Sequence, residues 1–196
     1  TIEPYSSFRP ICTVTSPTLD QRRICETGTA RIEKIHIMSK ISQKLKSLGA
    51  SALFVGKRSV TVQELEKLVG GPLPSDYVAF AGEWANGVEF EHLIEYKPIV
   101  PDPWIGKDKV QKLDHFYGLN RGKHSTIDAI DDYEGRMPHG LFPIASSPGG
   151  NQICLSTRTH DFGYVYFWDH DGEVDTNQQP RTNGENIYLA AKSFTD

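Results

Sequence analysis

GLFPIASSPGGNQICLSTRTHDFGYVYFWDHDG, residues 140–172, reads as three strands joined by two turns. Phe142 to Ala145 is short and apolar, and Ser146 to Gly150 supplies turn residues. Gln152 to Ser156 alternates, so Ile153 and Leu155 share one face and Cys154 takes the other. Arg158 to Gly163 is a polar connection ending in glycine. Tyr164 to Trp168, YVYFW, is the strongest β-forming run in the chain, five β-branched or aromatic residues in succession. Val165 and Phe167 point one way, and Tyr164, Tyr166 and Trp168 the other. So wide an apolar run predicts a central strand covered on both faces.

Outward from this hairpin, the N-terminal side carries helical patterns. MSKISQKLKSLG, residues 38–49, places Ile41, Leu45 and Leu48 on one face, with Gly49 at the expected end. Thr61 and Glu64 form a T-x-x-E capping box ahead of the stripe Val62, Leu65, Leu68 and Val69. After Pro72 and Pro74, Ser75 or Asp76 can cap a second helix whose face is Leu73, Tyr77, Phe80 and Trp84. Asn86-Gly87 ends it, since both residues tolerate positive φ. A strand through Val88, Phe90 and Leu93 follows, with Glu89 and Glu91 outward. KPIVPDPW, residues 97–104, has three prolines and predicts an edge strand or a loop. LDHFYGLNRG, residues 113–122, is compatible with a strand or a helical turn. Thr126 to Arg136 reads as a helix, and Glu185 to Ala191 as a last strand.

At 196 residues, with 38% apolar and 23% charged residues, the chain suits one soluble domain with a sizeable core. No apolar run reaches the ~18 residues a membrane span needs. Three cysteines without CxxC spacing argue against a disulfide framework and fit a reducing, cytoplasmic setting. The net charge of −4 is unevenly spread. Residues 1–69 hold 11 Lys/Arg against 6 Asp/Glu, and residues 70–196 hold 10 against 19. The acidic part disfavours direct nucleic-acid binding and suits a basic partner or plain solubility. Residues 1–37 show no sustained period and read as an extension outside the core, disordered or not native, with a domain over 38–196.

In order, these segments resemble the SUKH superfamily, which includes bacterial toxin-immunity proteins and a yeast cell-wall synthesis regulator. The LPxDYxxF…NG segment is matched by Leu73, Pro74, Asp76, Tyr77, Phe80, Asn86 and Gly87. FPIA…GGNxICL is matched by Phe142 to Ala145, Gly149 to Asn151 and Ile153 to Leu155. GxVYxWDHD is matched by Gly163, Val165, Tyr166 and Trp168 to Asp171, and a closing segment by Ile187, Ala191, Ser193 and Phe194. The resemblance spans about residues 60–196. It implies an α+β fold, a mostly antiparallel central sheet with helices packed around it. It also implies a C-terminal helix, which this sequence, ending at Asp196, lacks.

Motifs for chemistry are absent from the pattern. Seven histidines show no HExxH or HxH spacing, and DHDGE from Asp169 lacks the rest of a calcium loop. Cys154 reads as a buried structural thiol, and no G-x-S-x-G surrounds Ser146 or Ser147. SPGGN lacks the G-K-[ST] ending of a phosphate loop. No catalytic residue, metal or cofactor is expected. The resemblance implies instead an immunity protein that blocks a cognate polymorphic or contact-dependent toxin, with nucleases among the candidate toxins. The alternative is a regulatory scaffold or ligand-sensing module of the cell-wall-regulator type. Trp84 and Trp168 are expected in the core. For a basic protein partner the candidate contacts are Glu89, Glu91, Trp104, Asp169, Asp171 and Glu173, each of which could equally be an ordinary surface side chain.

Overall fold

The computed structural model describes residues 40–53, 60–173 and 184–196. The reading of residues 1–37 as an extension therefore lies outside the described residues. The elements run as helix α1 (40–47), β1 (Ala50–Ala52), α2 (Val62–Val69), α3 (Ser75–Glu83), β2 (Val88–Tyr96) and β3 (Gln111–Phe116). They continue with α4 (Thr126–Asp132), β4 (Leu141–Ser146), a 3-10 turn (Pro148–Gly150), β5 (Gln152–Ser156), β6 (Val165–Trp168) and β7 (Ile187–Ala191). Among the described residues, seven strands form one antiparallel sheet in sequential order. The fold is α+β.

The β4–β5–β6 hairpins run from the middle of this sheet to the strand next to its edge, and all five residues of β5 are buried. Ile153 lies opposite Phe167 and Cys154 opposite Tyr166, which sets the two faces. On one side Ile153, Leu155, Val165 and Phe167 join Phe142, Ile144, Val88, Leu65, Tyr77 and Phe80 in the main core. On the other, Trp168, Cys154, Leu141 and Met137 form a smaller core with Tyr133, Tyr166 and Ile187 around it. β6, expected as a central strand, is covered on both faces but lies second from the sheet edge, between β5 and β7. A bulge between Pro143 and Ala145 accommodates the proline, which has no N–H to give to the ladder.

The capping box forms: Glu64 N donates to Thr61 Oγ1 (3.2 Å) and Thr61 N donates to Glu64 Oε2 (2.8 Å). Ser125 caps α4, its hydroxyl accepting from the amides of Ile127 and Asp128. α3 ends earlier than expected, at Glu83 with Trp84 as its C-cap, and Gly87 makes the turn that follows at φ +76°, where a Cβ would lie 2.6 Å from the Phe116 carbonyl oxygen, so only glycine fits. The closing segment docks on α3: Phe194 stacks with Phe80 (4.9 Å) and Tyr77 (5.4 Å), and its N–H donates to Asp76 Oδ2 (3.1 Å).

Several local expectations change. Pro74 occupies the N-cap of α3 with no side-chain bond, and Asp76, one of the two expected caps, accepts from Tyr77 N (2.9 Å) and from Phe194 N (3.1 Å). Leu48 and Leu68, expected on buried stripes, are exposed: Leu48 follows the last turn of α1 and Leu68 lies in the last turn of α2. Leu93 is also exposed: Val88, Phe90, Ile94 and Tyr96 face the core, and alternation puts Leu93 on the outward face with Glu89 and Glu91. Trp84 sits half-buried at the end of α3, its Nε1–H donating to Ser42 Oγ (3.1 Å). Residues 97–110 form a loop, and residues 111–116 a strand.

Candidate functional site

The β2–β3 loop crosses to the far edge of the sheet. Its prolines at 98, 101 and 103 remove donors, but between them Ile99 N donates to Ala190 O (3.1 Å) and Val100 N to Leu189 O (2.8 Å). The loop thereby covers β7 at the sheet edge. Buried Asp102 then orients the Trp104 backbone. One of its carboxylate oxygens accepts from Trp104 N (2.9 Å) and the other from the Gln111 side-chain amide. Held this way, the Trp104 indole is 81% exposed.

The end of β6 meets this loop. Asp169 N donates to Asn186 O (2.9 Å), and Asn186 Nδ2 donates back to Asp169 O (2.9 Å). Asp171 N donates to Asp169 Oδ1 (3.1 Å) and Gly172 N to Asp169 O (3.3 Å), forming a tight turn. His170 N is tied to Asn151 Oδ1 (2.8 Å). Between loop and turn lies a cleft of about 300 Å³, lined by Asp102, Trp104, Lys112, Phe167, Asp169 and Asp171 among others. It continues into a hollow of about 520 Å³ that adds Pro103, Glu185, Asn186 and Tyr188. Four carboxylates line the two hollows, and Lys112 is the one cation among their described lining residues. Burial raises the Asp169 carboxyl above its usual range, and the charges of Asp171 and Asp102 add to this, against the amides of Asp171 and Gly172.

Three of the six residues chosen from the sequence, Trp104, Asp169 and Asp171, therefore meet in one place. Asp171 is exposed, whereas Asp169 is only 5% exposed and acts from beneath. The other three line neither hollow. Glu89 is exposed on β2, accepts from Ser51 Oγ (3.2 Å) and lies opposite His115 on β3. Beside it His115 Nε2 and His124 Nδ1 are 2.7 Å apart, with Asp114 Oδ2 3.0 Å from His115 Nδ1. Burial, then the neighbouring His115 and Lys123 charges, lowers the His124 pKa. Glu91 is exposed within the bulged stretch of β2. Glu173 is engaged inside the protein's own surface: it pairs with Arg136 (2.7 Å), whose guanidinium covers the Tyr133 ring (4.8 Å).

Sequence reasoning missed Asp102, Glu185 and Asn186. Asp102 carried a signal, an Asp-Pro-Trp run in which aspartate starts a turn, but its pairing with Gln111 is tertiary. A larger hollow of about 600 Å³ lies between α2, α4 and β4, lined by Leu68, Val69, Ile130, Met137 and Leu141 among others. None of the six candidates reaches it. Among the described residues no three His, Cys, Asp or Glu side chains are arranged to hold a metal ion. Burial pushes the Cys154 thiol well up, which leaves it un-ionised at neutral pH. No helix among the described residues is long and apolar enough to cross a membrane.

The profile of the SMI1 / KNR4 family (SUKH-1) matches residues 59–196. The SPbeta prophage-derived uncharacterized protein YokK of Bacillus subtilis (strain 168) is 40% identical over 144 residues, covering 68% of this chain and 73% of that protein. No solved structure gives a significant match.

Proposed function

The chain belongs to the SMI1 / KNR4 (SUKH-1) family, within the broader immunity-protein superfamily, and on that premise we propose that it binds and neutralises a basic protein toxin. The observation that supports this reading is the cleft between the Trp104 loop and the Asp169–Asp171 turn. An exposed tryptophan beside clustered carboxylates has the composition of an interface hot spot rather than of a catalytic centre. A nuclease toxin must grip phosphates and so presents a basic cleft. An acidic surface docks there with electrostatic steering. Trp104, Asp169 and Asp171 form the centre of the contact in this reading. Glu89, Glu91 and Glu173 lie outside it, on surfaces that add long-range charge.

The test is protection of cells expressing the toxin encoded beside this gene, together with affinity measured across a salt titration. The double variant Trp104→Ala, Asp171→Asn should lose protection and flatten the salt dependence. The pair Glu89→Gln, Glu91→Gln should change mainly the association rate. A double variant that protects and binds like the parent at every salt concentration would refute the reading.

A further inference from the structure

An unused hydrogen-bond acceptor lies under the Trp104 cleft. Asn186 is 2% exposed, and its Oδ1 has no hydrogen-bond partner. It continues β7 opposite Asp169, so strand alternation places both side chains on one face of the sheet. Both line the hollow that Trp104, Asp171 and Glu185 enclose. A buried amide oxygen left without a donor is destabilising. Ionised carboxylates around it can only accept. The group that completes this site must therefore donate hydrogen bonds, and the surrounding negative charge selects a cation.

Two features narrow the cation. Trp104 is 81% exposed, with its backbone N–H held by Asp102, and so offers an open indole face for stacking. The acceptors lie at different depths: Asn186 Oδ1 is buried, while the Asp171 carboxylate is 92% exposed. An ammonium is a compact point charge. A guanidinium carries five N–H groups in a flat fork, which can reach acceptors on two sides while its plane stacks on an aromatic ring. Building on the partner-binding reading above, we infer that this cleft is a receptor for an arginine side chain of the partner, stacked on Trp104 and donating to Asn186 Oδ1 and Asp171. The Asp169 carboxyl, held above its usual range by burial and by Asp171 and Asp102, supplies charge that such a cation would balance.

The test uses the isotope-labelled full chain and N-acetyl-arginine methylamide, followed by NMR at the Trp104 indole and Asn186 side-chain resonances. The matching lysine amide and sodium chloride at equal ionic strength are the references. Saturating shifts at both side chains with the arginine probe are expected, with the lysine probe about fivefold weaker or more. Asp171→Asn should weaken the arginine response severalfold. Trp104→Ala, read at Asn186, should do the same. Both sites are exposed, and resonances elsewhere should confirm an intact fold. Equal responses to the two probes, a response to salt alone, or no saturation would overturn the inference. The two readings fail separately. Toxin neutralised without any arginine response removes the receptor alone, and an arginine response without toxin binding removes the immunity function alone.

Discussion

Replacing Trp168 by alanine would empty the middle of the smaller core. The side chain is fully buried, packs with Met137, Leu141 and Cys154, and meets the Tyr133 ring edge-on at 5.3 Å. A tryptophan buries roughly 150–250 Å², which at about 25 cal/mol/Å² corresponds to about 4–6 kcal/mol. Against this, its Nε1–H has no hydrogen-bond partner, and removing that orphan recovers about 1–3 kcal/mol. With the cavity left behind, the net loss should be about 3–5 kcal/mol. Trp168→Phe keeps a ring in place and deletes the orphan, so it should cost about 1–2 kcal/mol. Urea unfolding followed by far-UV circular dichroism, with comparable m-values, measures both. A loss below about 1 kcal/mol for alanine would refute the buried position of Trp168. Phenylalanine costing as much as alanine would show that the indole N–H has a partner.

Two further perturbations address the helix start and the acid limb of stability. Thr61→Ala removes the acceptor for Glu64 N and should lower stability by about 1 kcal/mol, with Thr61→Ser retaining most of it; an unchanged urea midpoint would show that the cap adds nothing. Burial alone would raise the Asp161 carboxyl, but hydrogen bonds from Arg158, Ser156 and Tyr166 outweigh it and hold the pKa below the usual value. Its contribution is therefore fully present above the unfolded carboxyl pKa of about 3.9 and is lost as pH falls through the lower folded value. Asp161→Asn should flatten stability against pH in that window, and a parallel acid limb in the variant would count against the network.

Local rules were enough for most of the secondary structure. YVYFW could only be an inner strand, because five large β-forming side chains in succession leave no polar face to water, and Val165–Trp168 is that strand. The T-x-x-E box and the glycine turn at Gly87 were legible because a cap or a left-handed turn is satisfied within a few residues. Where an expectation failed, a long-range partner had intervened. Asp76 takes the Tyr77 amide with one oxygen and the distant Phe194 amide with the other, while Pro74 holds the cap position.

The candidate site belongs to the second kind. Composition identified Trp104 as a tryptophan in a proline-broken segment, and charge identified the Asp169–Asp171 turn. Nothing in their separation along the chain says that they touch. They meet because Ile99 and Val100 donate to β7, carrying the loop to the opposite edge of the sheet, where Asp102 fixes the indole. Asn186 was silent in the sequence for the same reason. An asparagine declares an unused acceptor only when the fold has withdrawn it from water and left it no donor. The helix caps and tight turns of this chain were set by its local sequence, because each satisfies its own backbone within a few residues. The cleft was set by tertiary pairing, because its walls come from a loop and two strands that are neighbours only in the folded sheet.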